Sequence, residues 1–207
     1  MTRLTSDFYE QSTLALAPAL LGCVLVHETE EGRTAGIIVE TEAYLADDPA
    51  CHAYRRPTLR NAPMFGPPGT VYVYQIYGQY HCVNIASSAE GIGEAVLIRT
   101  LQPTEGLDGM ARRREAGIRR VKAVFGKPHV ERPLLETQLC NGPASLVTAM
   151  GISKNLNFKL MQTGPLFCET PALDGFEVVQ TTRIGITRGA ELPYRFYVKG
   201  NRFVSRR

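Results

Sequence analysis

No stretch of this sequence comes near the ~20 consecutive apolar residues that a membrane helix needs, which removes the helical membrane-protein class. The opening, Met1-Thr2-Arg3-Leu4-Thr5-Ser6-Asp7, holds an early acid and no compact apolar region, so no secretory leader is expected. Five cysteines, at positions 23, 51, 82, 140 and 168, are odd in number and widely spaced, with no Cys-x-x-Cys pair. That argues against a disulfide scaffold and for a reducing compartment, read as cytoplasmic. Cys51-His52 and His81-Cys82 lack zinc-finger or deaminase spacing, so neither a metal nor another cofactor is expected. Internal repeats, low-complexity tracts and obvious linkers are also missing. A chain of 207 residues suffices for one substantial core and is short for two, so 1–207 is read as a single domain.

Net charge is only +3, too little to imply a polyanionic partner by itself. Its distribution is uneven. Between Arg112 and Arg132 lie eight cations (Arg112, Arg113, Arg114, Arg119, Arg120, Lys122, Lys127, Arg132) against two acids, and from Arg183 onward seven cations face Glu191 alone. Such blocks suit phosphate contacts, although a solvated basic loop and a solubilising tail would read the same.

Along the chain, Leu14 to Leu21 reads as a short helix, separated by Gly22 from the β-branched run Cys23 to Val26. Ala35 to Tyr44 reads as a buried strand. Residues 46–70, studded with proline and glycine, form a loop long enough to suggest a functional role. Strand patterns follow at Val71 to Ile76, His81 to Ser87 and Ala95 to Leu101. A helix is expected from an N-cap at Thr104 to Ala116, another over Pro143 to Met150, and late strands at Phe176 to Ile186 and Tyr194 to Val198. The fold expected is α+β, one domain with a curved, mixed but mostly antiparallel sheet flanked by helices.

The most unusual run is Ile37-Ile38-Val39-Glu40-Thr41-Glu42-Ala43-Tyr44, in which two carboxylates interrupt an apolar strand. Period-2 geometry puts Glu40, Glu42 and Tyr44 on one face. Buried carboxylates cost free energy unless paired, hydrogen-bonded or protonated, so the pair caps a loop, meets an arginine or serves chemistry. Downstream, Val71 to Asn84 holds four of the nine tyrosines. Alternation sets Tyr72 and Tyr74 on one face, as core or as pocket wall, while Tyr77 falls at the turn into Gly78. A ring projecting from a tight turn can fill the gap left by an extruded base, and rings inside a pocket can stack on that base.

At this point a family resemblance is legible. The runs Glu40 to Tyr44, Arg60-Asn61 with Met64-Phe65, Pro68-Gly69, Tyr72 to Gly78, Cys82-Val83-Asn84, Val96 to Arg99, Leu139 to Pro143 and Arg195 to Val198 resemble the alkyladenine (3-methyladenine) DNA glycosylases, in the family's order and over nearly the whole chain. The resemblance implies a monofunctional, cofactor-free hydrolase. Its partner would be duplex DNA containing a damaged purine, and it would work as a monomer with no membrane role. It implies Glu42 as the base that activates water, with Arg99 beside it. Tyr44, His52 and Tyr74 would sandwich the flipped base, with Ala50 and Asn84 completing the pocket and Asn84 opposing the guanine amine. Tyr77 would be the intercalating wedge, and Arg60, Met64, Tyr80 and Arg114 would touch neighbouring bases or the DNA backbone. The chain departs from the family form in several places: the loop after Tyr44 is about one residue shorter, Ala46 stands where glycine is usual, Arg55-Arg56-Pro57 replaces a glycine-containing segment, and Gln79 replaces a hydrophobic neighbour of the wedge. Two other readings use the same features, a non-catalytic nucleic-acid-binding module and a hydrolase of free nucleosides. The first has no use for an anion on its pocket face, and the second none for a wedge and arginine clusters.

Overall fold

The computed structural model describes residues 1–130 and 132–205. Glu131, Arg206 and Arg207, all counted in the two basic stretches, lie outside the described residues. After two short helices, α1 (Ser6–Tyr9) and α2 (Thr13–Ala19), the chain builds β1 (Val24–Thr29), β2 (Gly32–Tyr44), β3 (Val71–Ile76), β4 (Tyr80–Ala86) and β5 (Ala95–Glu105). Three helices follow, α3 (Leu107–Val124), α4 (Glu136–Leu139) and α5 (Pro143–Ala149), and then β6 (Leu166–Glu169), β7 (Val178–Thr181) and β8 (Arg195–Val198). All eight strands join one sheet in the order β3-β4-β5-β2-β1-β6, with β8 on β2 and β7 on β8. Every pairing is antiparallel, and the sheet curves into a half-barrel, which resolves the expected mixed sheet to its antiparallel form.

β2 runs for 13 residues because it serves two neighbours along one edge: its first half pairs with β1, while Glu40 to Glu42 pair with β8. β5 takes the whole opposite edge. On one face of β2, Thr41 Oγ1 donates to Ala17 O of α2 and the apolar core packs beneath. The other face carries the carboxylates. No helix among the described residues is long and apolar enough to cross a membrane.

Several expected boundaries move. β5 continues past Leu101, and Thr104 is not a helix cap. Ala35 pairs with Glu105 and Gly36 with Pro103, so Thr104 is the extra residue of a bulge, which is how a strand accommodates the nearby proline. α3 starts after Gly106 and runs to Val124, which puts Arg112 to Arg114 in its first half rather than at a basic end. The late strand expected over Phe176 to Ile186 shrinks to β7, because Arg183 and its neighbours turn inward. α1, α4 and β6 carry too few periodic positions to stand out in the sequence.

The long loop is ordered by its own polar groups. Asn61 Nδ2 donates to His52 O at 2.8 Å and to Arg56 O at 3.1 Å, while Thr58 N–H donates to Asn61 Oδ1 at 2.6 Å. Cys51, Ala53 and Met64 then seat the loop on Tyr72 and Ala95, a small second core beside the main one.

Candidate active site

The two carboxylates of β2 are fully buried and share one arginine. Arg99 Nε lies 3.3 Å from Glu40 Oε1, and its Nη1 lies 3.1 Å from Glu42 Oε1. A pair of compensating bulges makes this reach possible. Between the pairs Ile38/Leu101 and Glu40/Thr100 the residue left over is Val39. Between Glu40/Thr100 and Thr41/Ile98 it is Arg99. A bulge re-aims its side chain, and here it turns a guanidinium between two carboxylates one strand away. Glu40 also accepts from Arg195 Nε at 2.7 Å, Thr100 Oγ1 at 2.8 Å and Ser205 N–H at 3.0 Å. Burial raises the Glu40 pKa, but Arg99 and these donors outweigh it and hold the group below the usual carboxylate range. Glu42 is held differently. Oε1 accepts the Ile184 N–H at 2.9 Å as well as Arg99, whereas Oε2 accepts, among the described residues, the Tyr44 hydroxyl alone, at 2.8 Å, and keeps an acceptor site to spare. Burial works against the charge on Arg99, yet Glu42 and then Glu40 more than offset it and keep the guanidinium firmly protonated.

Beside this cluster opens a cavity of about 610 Å³. Tyr44, Ala50, His52, Arg60, Met64, Tyr74, Tyr77, Asn84 and Arg99 all line it, drawn from β2, the long loop, β3, β4 and β5. Tyr72 and Tyr74 stack with centroids 5.3 Å apart, His52 packs edge-on to Tyr74 at 4.4 Å, and His52 Nδ1 lies 2.9 Å from the Tyr72 hydroxyl. Burial, and then the Arg60 charge, lower the His52 pKa, so the imidazole is neutral at pH 7. Burial raises Tyr44, with Glu42 adding to it, and pushes Tyr72 up to about 12; both rings stay protonated hydrogen-bond donors. Asn84, on β4 directly opposite Tyr72, donates to Tyr72 O at 3.2 Å. At the cavity rim the β3–β4 hairpin turns through Tyr77 (φ 48°) and Gly78 (φ 68°), closed by Gln79 N–H to Ile76 O at 3.3 Å. Two consecutive positive φ values mark a type I′ turn, which favours Asn or Gly first. Tyrosine there is strained, and it is 86% exposed; neither property helps the fold.

A strained exposed ring, a ring-lined cavity and a buried carboxylate behind it are the features the resemblance implied, and comparison with known proteins decides the matter. The family described as methylpurine-DNA glycosylase matches residues 7–202. The chain belongs to that family. Among its relatives is a protein of Methanoculleus marisnigri, 49% identical with 99% of each chain covered. Others come from Rubrobacter xylanophilus, 45% identical with 88% of this chain and 87% of the relative covered, and Carboxydothermus hydrogenoformans, 43% identical with 99% of each covered. All three carry the provisional name 3-methyladenine DNA glycosylase.

Within this methylpurine-DNA glycosylase chain, three of the expected residues sit apart from the cavity lining. Glu42 is one layer back, in contact with the lining residues Tyr44, Arg99 and Ile184. Tyr80 and Arg114 line a different groove, about 450 Å³, between the hairpin and α3 and α5. There Arg114 Nε is buried without a partner among the described residues, and burial lowers the arginine's pKa. The basic C-terminal stretch needs correction as a set of phosphate contacts. Arg183 and Arg195 are buried and paired with Asp48 and Glu40, while Lys199 and Arg202 pair with Glu177 and Glu136. The α3 stretch fits better, since only Arg113 of its cations forms an ion pair among the described residues. Sequence reasoning missed Ile184 to Ile186, which form part of the cavity wall, and the Asp48–Arg183 pair behind it. The five cysteines are all buried and free, and no cluster of three or more His, Cys, Asp or Glu among the described residues could hold a metal ion.

Proposed function

We propose that this protein is a monofunctional DNA glycosylase that flips alkylated or deaminated purines (3-methyladenine, 7-methylguanine, hypoxanthine, ethenoadenine) from duplex DNA and hydrolyses the N-glycosidic bond. The abasic site it leaves is the substrate for base excision repair. The observation that carries this reading is Glu42, a buried carboxylate with a free acceptor site, set directly behind a ring-lined cavity large enough for a purine. Its relatives' names point the same way.

An N-alkylated purine is cationic and already a good leaving group, so the work left to the protein is to hold the base, align water and oppose positive charge on the sugar. Stacking against Tyr44 and Tyr74 adds ~0.5–2 kcal/mol of cation–π attraction that a neutral purine does not receive. Water entering between Tyr44 and Ile184 meets Glu42 Oε2, which takes its proton as oxygen attacks C1′; the electrons of the breaking C–N bond leave with the base. Arg99, shared between the two carboxylates, keeps Glu42 oriented. Asn84 narrows the pocket where guanine would place its exocyclic amine. Tyr77 fills the space the base vacates, and Met64, Arg60, Tyr80 and Arg114 contact the flanking nucleotides. Among the described residues no lysine lines the cavity, which fits water rather than an amine as nucleophile and hence no strand cleavage. One subunit supplies every group invoked, so the reaction as proposed needs no second copy of the chain.

Glu42→Gln tests the reading. The variant keeps affinity for lesion-containing duplex within ~3-fold and loses at least ~100-fold in base release, the scale of general-base catalysis. Undiminished excision by this variant refutes the assignment.

A further inference from the structure

Behind Tyr44 lies an ion pair that the chemistry above does not use. Arg183, with its side chain fully buried, donates from Nη1 to Asp48 Oδ2 and to Ala43 O at 3.0 Å, and from Nη2 to Asp48 Oδ1 at 2.9 Å and Gly189 O at 3.1 Å. Among the described residues its Nε has no partner. Its guanidinium lies 4.6 Å from the Tyr44 ring centroid and 5.3 Å from that of Tyr194, outside the cavity that Tyr44 lines. The next residue, Ile184, gives its N–H to Glu42. Asp48 in turn accepts the N–H of Ala50, another wall residue, at 2.9 Å. Gly189 is shaped for the pair: a Cβ there would stand 2.9 Å from Asp48 Oδ1.

Taking the glycosylase reading of the cavity as its basis, we infer that Arg183 and Asp48 form a positioning clamp, in which Arg183 fixes the spacing between Tyr44 and Ile184 in front of Glu42 and Asp48 cancels the arginine's charge behind the Tyr44 ring. The first part follows from the contacts, since Arg183 touches the Tyr44 ring, the Ala43 carbonyl and, through the chain, the Ile184 amide. A lysine in its place keeps the charge but loses the bidentate fork and the flat stacking surface. The second part follows from ring electrostatics. A cation on one face of an aromatic ring opposes binding of a second cation on the other, so an uncompensated Arg183 would work against recognition of a cationic lesion through Tyr44. Forked onto Asp48, the arginine is answered by a carboxylate on the side away from the cavity, and the Tyr44 face stays attractive.

The test measures the full-length protein in two ways. The first is single-turnover release of 3-methyladenine from alkylated duplex, read as maximal rate against half-saturating protein concentration. The second is anisotropy binding to a duplex holding 2′-fluoro-7-methylguanosine, cationic and resistant to hydrolysis, and to one holding its neutral 7-deaza isostere. Arg183→Lys lowers the maximal rate by at least ~10-fold with half-saturation within ~3-fold, as expected for a misplaced wall rather than lost DNA contacts. Asp48→Asn, the milder change, lowers the preference for the cationic duplex by about 5-fold, the scale of one cation–π contact. An unchanged maximal rate in Arg183→Lys, or losses in rate and affinity that track the thermal midpoint, overturns the positioning role. Equal weakening on both duplexes in Asp48→Asn overturns the charge-cancelling role. Wild-type protein that releases no 3-methyladenine overturns the glycosylase reading itself, an outcome separate from either.

Discussion

At the scale of single residues, Glu40 and Glu42 sit two positions apart and have opposite duties. Glu40 is saturated: two arginines, a threonine hydroxyl and a backbone amide occupy it. Removing it takes a buried carboxylate from Arg99 and Arg195, and breaking a buried pair of this kind costs roughly 3–5 kcal/mol. Because its folded-state pKa lies below the ordinary value of 4.5, Glu40 stabilises the fold fully above that value and ceases to as pH falls through the lower one. His27 acts in the same direction at a higher pH. It is buried, with Nδ1 2.7 Å from Met150 O, and burial depresses its pKa below 6.5, so the unfolded chain takes up a proton there first. Urea midpoints therefore fall in two stages on acidification, one below 6.5 and one below 4.5. His27→Gln shrinks the upper stage, to which His52 and His81 also contribute because their pKa values are likewise lowered, and leaves the lower; a midpoint flat from pH 7 to 5 in the wild type contradicts this account. Glu42, Tyr44, Tyr74 and Asn84 were legible in the sequence because period-2 alternation and a motif fix their faces. Asp48 and Arg183 were not. A lone charge in a polar loop looks solvated, and 135 positions separate the two.

At the scale of elements, the sequence revealed β3 without error because a tyrosine-rich alternation ends at a Tyr-Gly turn. The bulges at Val39, Arg99 and Thr104 could not be read, since a bulge is a relation between two strands and leaves no composition signature in either. The hairpin turn carries the sharpest prediction. Tyr77 holds a left-handed conformation that costs a non-glycine, non-asparagine residue roughly 1–2 kcal/mol, in a place where its ring packs on nothing. Tyr77→Asn should therefore raise the unfolding free energy by about 1 kcal/mol while weakening excision from duplex DNA much more than from single strands, because only the duplex must be held open. Equal losses on the two substrates would argue that the ring contributes something other than a wedge.

At the scale of the whole molecule, the net charge of +3 conceals a division of labour that counting cannot show. Cations near the C-terminus largely serve the protein itself: Arg183 and Arg195 are buried, and Lys199 and Arg202 answer nearby glutamates. On α3, by contrast, Arg119, Arg120 and Lys122 are free of ion pairs among the described residues, and Arg120 and Lys122 border the groove of Arg114 and Tyr80 at the foot of the wedge hairpin. Phosphate contacts release counterions, so each one lost should flatten the slope of log affinity against log salt by about 1. Arg120→Ala and Lys122→Ala should each do so, on undamaged and lesion-containing duplexes alike, because a phosphate carries no sequence information. Lys199→Ala and Arg202→Ala should leave the slope where it was. If the two pairs of variants exchange these effects, the duplex runs along β7 and β8 instead of α3, and Tyr77 would then have to enter it from a different side.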